Sequence, residues 1–132
     1  FAGAACMIVL QQKLKGALKI EETGSVARQY TFAVSMWNLA SLIFRLAHNV
    51  VFGRFTAAQR CFIAQVSMMM SLSIAIALYL VEVSTRSQLF AVGLAFFLEG
   101  AGSATFECNI FTAIAPLGDA TKVWALSGIP IG

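Results

Sequence analysis

Charge is the scarcest thing in this chain. Only 11% of its 132 residues are Asp, Glu, Lys or Arg, where a typical soluble domain carries about 25%. The nine basic and six acidic residues leave a net charge of +3. That is too small and too scattered for a phosphate-binding footprint, so no nucleic acid polymer is expected as a partner. Histidine occurs once, as His48, and the three cysteines, Cys6, Cys61 and Cys108, lie in or at the edge of separate apolar runs with no CxxC pair. This disfavours an ordinary Cys/His metal site, and the cysteines read as small apolar side chains. No GxSxG, HExxH or glycine-rich phosphate loop is present. An enzyme would have to work from Glu99, Glu107, His48 and Arg45 alone. No catalytic residue, no metal and no enzymatic activity are expected.

What the chain does have is apolar length. Cys61 to Val81 runs twenty-one positions without a charge. At about 1.5 Å per helical residue this is roughly 30 Å, the thickness of a bilayer's hydrocarbon core. The mean hydropathy of +0.81 agrees. In lipid, backbone polar groups must be satisfied within the protein, so an isolated span is a helix. The expected fold is all-α, a polytopic transmembrane helix bundle in one domain over residues 1–132.

The spans fall at about 30–51, 61–82 and 89–115, with partial spans at 1–10 and 123–132. Between the first two lies a polar connector, Gln11–Arg28, punctuated by Gly16 and Gly24, in which Leu14, Leu18 and Ile20 could lie on the membrane interface. The loop Gly53–Arg60 turns the chain, Glu82–Gln88 closes the third span, and Pro116–Lys122 breaks the fourth. A signal peptide is not expected, because Lys13, Lys15 and Lys19 follow the first apolar stretch instead of preceding it. The chain reads as a piece of a longer protein or a processed subunit, too short by itself to transport a solute. Arg28, Arg86 and those three lysines fall on one side by parity, and Arg45, Arg54, Arg60 and Lys122 on the other. That balance leaves orientation open.

Ionisable residues at membrane depth cost about 2.5–3.5 kcal/mol on insertion scales and so face protein, water or a partner. Glu99 should sit near mid-membrane and Glu107 nearer the far interface. Gly93, Gly100 and Glu107 recur every seven residues, with Ser103 and Ala104 on the same stripe. Small residues let helices approach closely. The stripe reads either as a face toward substrate or protons, or as a packing seam. Gly93, Gly100, Ala104 and Glu99 are the packing candidates. Arg45 and His48 lie three apart on one face. Arg45 either snorkels to the interface or pairs with Glu107, which topology places on the same side. His48 could ligate a chlorophyll magnesium or hydrogen-bond near the headgroups. Met68, Met69 and Met70 point round the helix in three directions and read as adaptable packing.

From Arg60 onward the order of features resembles the equilibrative nucleoside transporter family, which is major-facilitator-like. There a basic loop precedes an apolar third span. A fourth span then carries small residues and a polar cluster near its end, and a fifth contains Ser-Gly. Here these correspond to Arg60–Val83, to AGSATFECNIF at 101–111 and to ALSGIPIG at 125–132. In many members the fourth-span cluster reads Gln-Gly-Ser before Leu-Phe-Gly; here it is Glu107-Cys108-Asn109 before Ile110-Phe111-Thr112. The resemblance implies that Glu107 takes the place of a nucleobase-facing glutamine and Ser103 that of a small residue lining the path. The departures are an acid in place of that glutamine, and Ser127-Gly128-Ile129-Pro130 in place of Ser-Gly-Gln-Gly. The wider major-facilitator pattern fits nearly as well, since Gly53-Arg54 to Arg60 is similar to its basic loop. Such carriers have about eleven or twelve spans, arranged as two halves around a midplane site.

Two readings follow. In the first the chain is part of a nucleoside-type solute carrier, with Glu107, Ser103, Asn109, Trp37 and Asn38 along the route of a small polar solute. In the second it is a small structural subunit of a large photosynthetic or respiratory membrane complex. Chlorophyll or lipid is then the only bound group expected, with His48 as the pigment ligand. Membrane lipid and other transmembrane helices or subunits are partners in both. The membrane is the plasma membrane or an organelle membrane such as the thylakoid or the mitochondrial inner membrane.

Overall fold

A computed structural model describes residues 2–18, 20, 24–80, 85–116 and 118, with side chains placed from Val9 in the first helix and from Gln88 in the fourth. The expected fifth span at 123–132, the Ser127-Gly128 correspondence, and the side chains of Cys6, Lys19, Glu82, Arg86 and Lys122 lie outside the described residues. Within them the chain is all-helical: α1 Ala2–Ala17, α2 Ser25–Val51, α3 Ala57–Leu80 and α4 Thr85–Ile114, with no strand.

Helix boundaries depart from the apolar pattern in one direction: helices run on into polar sequence. α1 does not stop near Leu10. It continues through Gln11–Ala17, because Gln, Lys and Leu are good helix formers. Gly16 does not break it. Leu14 and Ile20, expected at the interface, are instead buried in the core with Tyr30, Ala33, Ala75, Val92 and Phe96. Tyr30 Oη donates to the Gln11 carbonyl at 2.7 Å and ties α1 to α2. α2 begins at Ser25 and not at Tyr30, just after Gly24, whose φ of 146° is a conformation that side chains resist.

α3 begins four residues before Cys61, and the cause is a capping box. The Thr56 hydroxyl accepts from the Gln59 N–H at 3.3 Å, and Gln59 Oε1 accepts from the Thr56 N–H at 2.9 Å. α4 likewise starts at Thr85 instead of Leu89.

The central element is α4. It packs against α2 on one side and α3 on the other, while α1 touches α3 and α4 more lightly. The contacts of Gly93 with Ala33 and of Gly100 with Trp37 ascend together, so α2 and α4 run parallel. Those of Ala95 with Ser71 and of Gly102 with Ala64 run opposite ways, so α3 is antiparallel to α4.

Among the described residues two helical segments are long and apolar enough to cross a membrane, Ala57–Leu80 and Gln88–Ile114. α2 matches them in length at 27 residues but is less apolar, with Arg28, Asn38, Arg45, His48 and Asn49 along it. The outer face of α3 is apolar. Phe62 is 71% exposed and Leu80 73%, and Val66, Met69, Met70, Ile76 and Tyr79 are exposed with them. Only Met68 of the three methionines turns inward, onto Gly102 at 2.7 Å from where a Cβ would stand. A contact face at heptad spacing, Ala64, Met68, Ser71 and Ala75, takes one of the three and leaves Met69 and Met70 on the outer face.

Candidate functional site

The seven-residue stripe of α4 faces α2 along its whole length. Gly93 meets Ala33 and Met36 at ordinary contact distance. Gly100 meets Trp37 so closely that an added Cβ would strike the Trp37 carbonyl oxygen and lie 2.8 Å from the indole Cδ1. At the next step the stripe ends in charge, and Arg45 donates to Glu107 Oε2. The Ser41 hydroxyl reaches the Gly100 carbonyl at 3.4 Å. A second seam, Ala95 and Gly102, faces α3. There the Ser71 hydroxyl donates to the Ala95 carbonyl at 2.7 Å, and Gly102 lies against Ala64 and Met68. Ala104 is fully buried.

Close packing stops where polar residues begin. A cavity of about 290 Å³ opens there, lined by Trp37, Asn38, Ser41, Leu42 and Arg45 of α2, Met68 of α3, and Ser103 and Glu107 of α4. This is near the lower end of ligand-pocket sizes, about 300 Å³. It holds both members of the ion pair, an amide, two hydroxyls and an indole. Arg45 is the outer partner, its side chain 54% exposed against 21% for Glu107. Asn38, Leu42 and Arg45 are all exposed, so the cavity opens along its α2 wall.

Glu99 lies deeper on the same α4 row, at i, i+4 and i+8 with Ser103 and Glu107. It is 1% exposed. Ser71 of α3 and Ser103 flank its carboxyl group. Its Oε1 and the Ser103 Oγ are both buried without a hydrogen-bond partner.

Four of the five expected path residues thus meet at one cavity: Glu107, Ser103, Trp37 and Asn38. Asn109 does not line it. It is buried on α4 with its Nδ2 unpartnered. His48 is separate, at the α2–α3 turn, where Arg60 donates to its Nε2 at 3.3 Å and its ring lies 5.7 Å from that of Phe52. A pigment metal at Nε2 would have to displace Arg60, and Nδ1 is buried without a partner. No group of three or more His, Cys, Asp or Glu that could hold a metal gathers among the described residues. Sequence reasoning missed Ser41, Ser71 and Gly102. The signals were there: Trp37, Ser41 and Arg45 recur every four residues on α2, and Ala95 and Gly102 repeat the seven-residue interval of the first stripe.

Nothing among protein-family models, curated proteins or solved structures matches this chain.

Proposed function

We propose that the chain is an integral membrane protein forming part of a nucleoside-type solute carrier, with α2, α3 and α4 as its spans. One observation carries this reading. A single cavity gathers Trp37, Asn38, Ser103 and Glu107 from two parallel helices, with the Arg45–Glu107 pair in its wall. An indole face and an amide, hydroxyl and carboxylate set suit a flat polar solute, which needs stacking and hydrogen bonds together. The lipid setting is supported by α3, whose exposed face is apolar where a soluble helix would be polar.

The structural-subunit reading draws less support. Its partner-binding seam would be the small residues of α4, and those are spent inside the chain, Gly93 and Gly100 on α2 and Gly102 on α3.

The test is uptake of radiolabelled nucleosides by vesicles holding the full-length protein. Saturable uptake is expected, and Glu107→Gln and Trp37→Ala should raise KM while protein level and helicity are unchanged. Absence of nucleoside uptake by the unaltered protein, or KM indifferent to both substitutions, would overturn the carrier reading.

A further inference from the structure

Glu99 is an acid whose natural counter-ion is already engaged. From α2 the charged group on this side is Arg45, and it is held by Glu107. α3 brings the Ser71 hydroxyl beside the carboxyl. The other titratable side chains of α3 stand at its ends, Arg60 and Cys61 near the turn and Tyr79 in the last turn. The described lysines, Lys13 and Lys15, belong to α1, which meets α2 at Tyr30, the end of the bundle away from Arg45. No side-chain cation among the described residues pairs with Glu99. A bare carboxylate 1% exposed and without a cation is strongly disfavoured. Two further atoms define the site. Glu99 Oε1 and Ser103 Oγ are buried and unpartnered, and Ser103 is also a wall of the cavity.

We propose that Glu99, set between Ser71 and Ser103, is a proton-binding site that exchanges with the cavity through the Ser103 hydroxyl. A proton on Oε1 turns an orphaned acceptor into a donor for Ser103 Oγ, the cavity-lining hydroxyl beside it. In release, the O–H bond at Oε1 breaks and its proton passes to Ser103 Oγ. The hydroxyl's own proton passes to cavity water, leaving a Glu99 carboxylate and a hydronium ion. Loading is the reverse. Glu107, ion-paired at the mouth, is the contrasting carboxylate on the same row. This inference rests on the membrane reading above but not on the identity of any solute.

The test uses dicyclohexylcarbodiimide on the full-length protein in phosphatidylcholine vesicles. This reagent takes the acid proton on nitrogen while the carboxylate oxygen adds to its central carbon. In the O-acylisourea so formed the acyl group then shifts from oxygen to nitrogen, breaking the acyl C–O bond and forming an acyl C–N bond, and the resulting stable N-acylurea is located by peptide mass mapping. Labelling is expected at Glu99 and not at Glu107. It should be lost as pH rises, be indifferent to exchange of sodium for choline at fixed pH, and disappear in Glu99→Gln. Ser103→Ala should slow the response of labelling to a pH jump while leaving its final extent unchanged. Label at Glu107 with none at Glu99, labelling independent of pH, or protection by sodium at fixed pH would each overturn the proposal, the last by making the site one for a metal cation. Carbonate extraction separates the failures. A chain stripped from the vesicles fails the membrane reading. A chain that stays in the bilayer with Glu99 unlabelled fails the proton site alone. Labelling without nucleoside uptake fails only the carrier assignment.

Discussion

Glu107 and Glu99 are two acids on one helix, and the fold gives them opposite surroundings. Glu107 meets a half-exposed guanidinium in the wall of a cavity, while Glu99 is buried against hydroxyls. The energetic weight of the Arg45–Glu107 pair follows from its exposure. With Arg45 more than half exposed, solvent screens the attraction, and such pairs are worth about 0–1 kcal/mol. A double-mutant cycle of Arg45→Ala and Glu107→Gln, read by reversible unfolding in detergent, should give a coupling in that range. A coupling several times larger would place the pair in a far drier setting than this cavity mouth. The pair's expected value therefore lies in function and not in stability. At the same scale, Thr56→Ala removes one half of the capping box that opens α3. It should cost about 0.5–2 kcal/mol, with faster amide exchange confined to the first turn of α3.

At the scale of elements, α4 is a helix with two different seams, and the space at each glycine sets what it tolerates. A Cβ at Gly93 would meet Ala33 Cβ at 3.7 Å, an ordinary contact. A Cβ at Gly100 would meet backbone of α2 at Trp37, which cannot swing aside. Gly100→Ala should therefore push α2 from α4 and cost about 1–3 kcal/mol, the usual range for overpacking. Gly93→Ala should be neutral or slightly stabilising. Thermal unfolding of both variants checks the contrast, and equal effects would overturn the tighter approach of α2 to α4 at Gly100. Loss of helix spacing at Gly100 should also widen the cavity, because Trp37 both covers Gly100 and lines the site.

At the scale of the whole molecule, the parallel course of α2 and α4 makes a topological prediction. The turn after α2 and the end of α4 belong at one end of the bundle, and the start of α2 at the other. In the proposed membrane arrangement, with Cys6, Cys61 and Cys108 replaced, Arg54→Cys and Gly118→Cys should react with an impermeant maleimide from the same side of sealed vesicles. Gly24→Cys should react from the other side. Labelling of Arg54→Cys and Gly118→Cys from opposite sides would remove α3 or α4 from the set of spans, and labelling of Gly24→Cys and Arg54→Cys from the same side would remove α2.

Much of this was legible in the residues alone. Apolar runs of span length and the absence of any strand pattern determine a helical chain, since helix length and backbone hydrogen bonding are local properties. The seven-residue recurrence of Gly93, Gly100 and Glu107 determines that they share a face, because helical periodicity is local too. Polar helical stretches were harder to read. Gln11–Ala17 and Ala57–Arg60 look like loop by hydropathy, yet helix propensity and the Thr56–Gln59 box extend the helices through them. Tertiary structure alone decided which neighbour each face met. It set Trp37 on Gly100, spent Arg45 on Glu107, turned Met68 inward and Met69 outward, and buried Glu99 beside Ser71. The physical reason is range: periodicity tells which side chains of one helix stand together, whereas the partner across a seam depends on how two helices slide and rotate against each other.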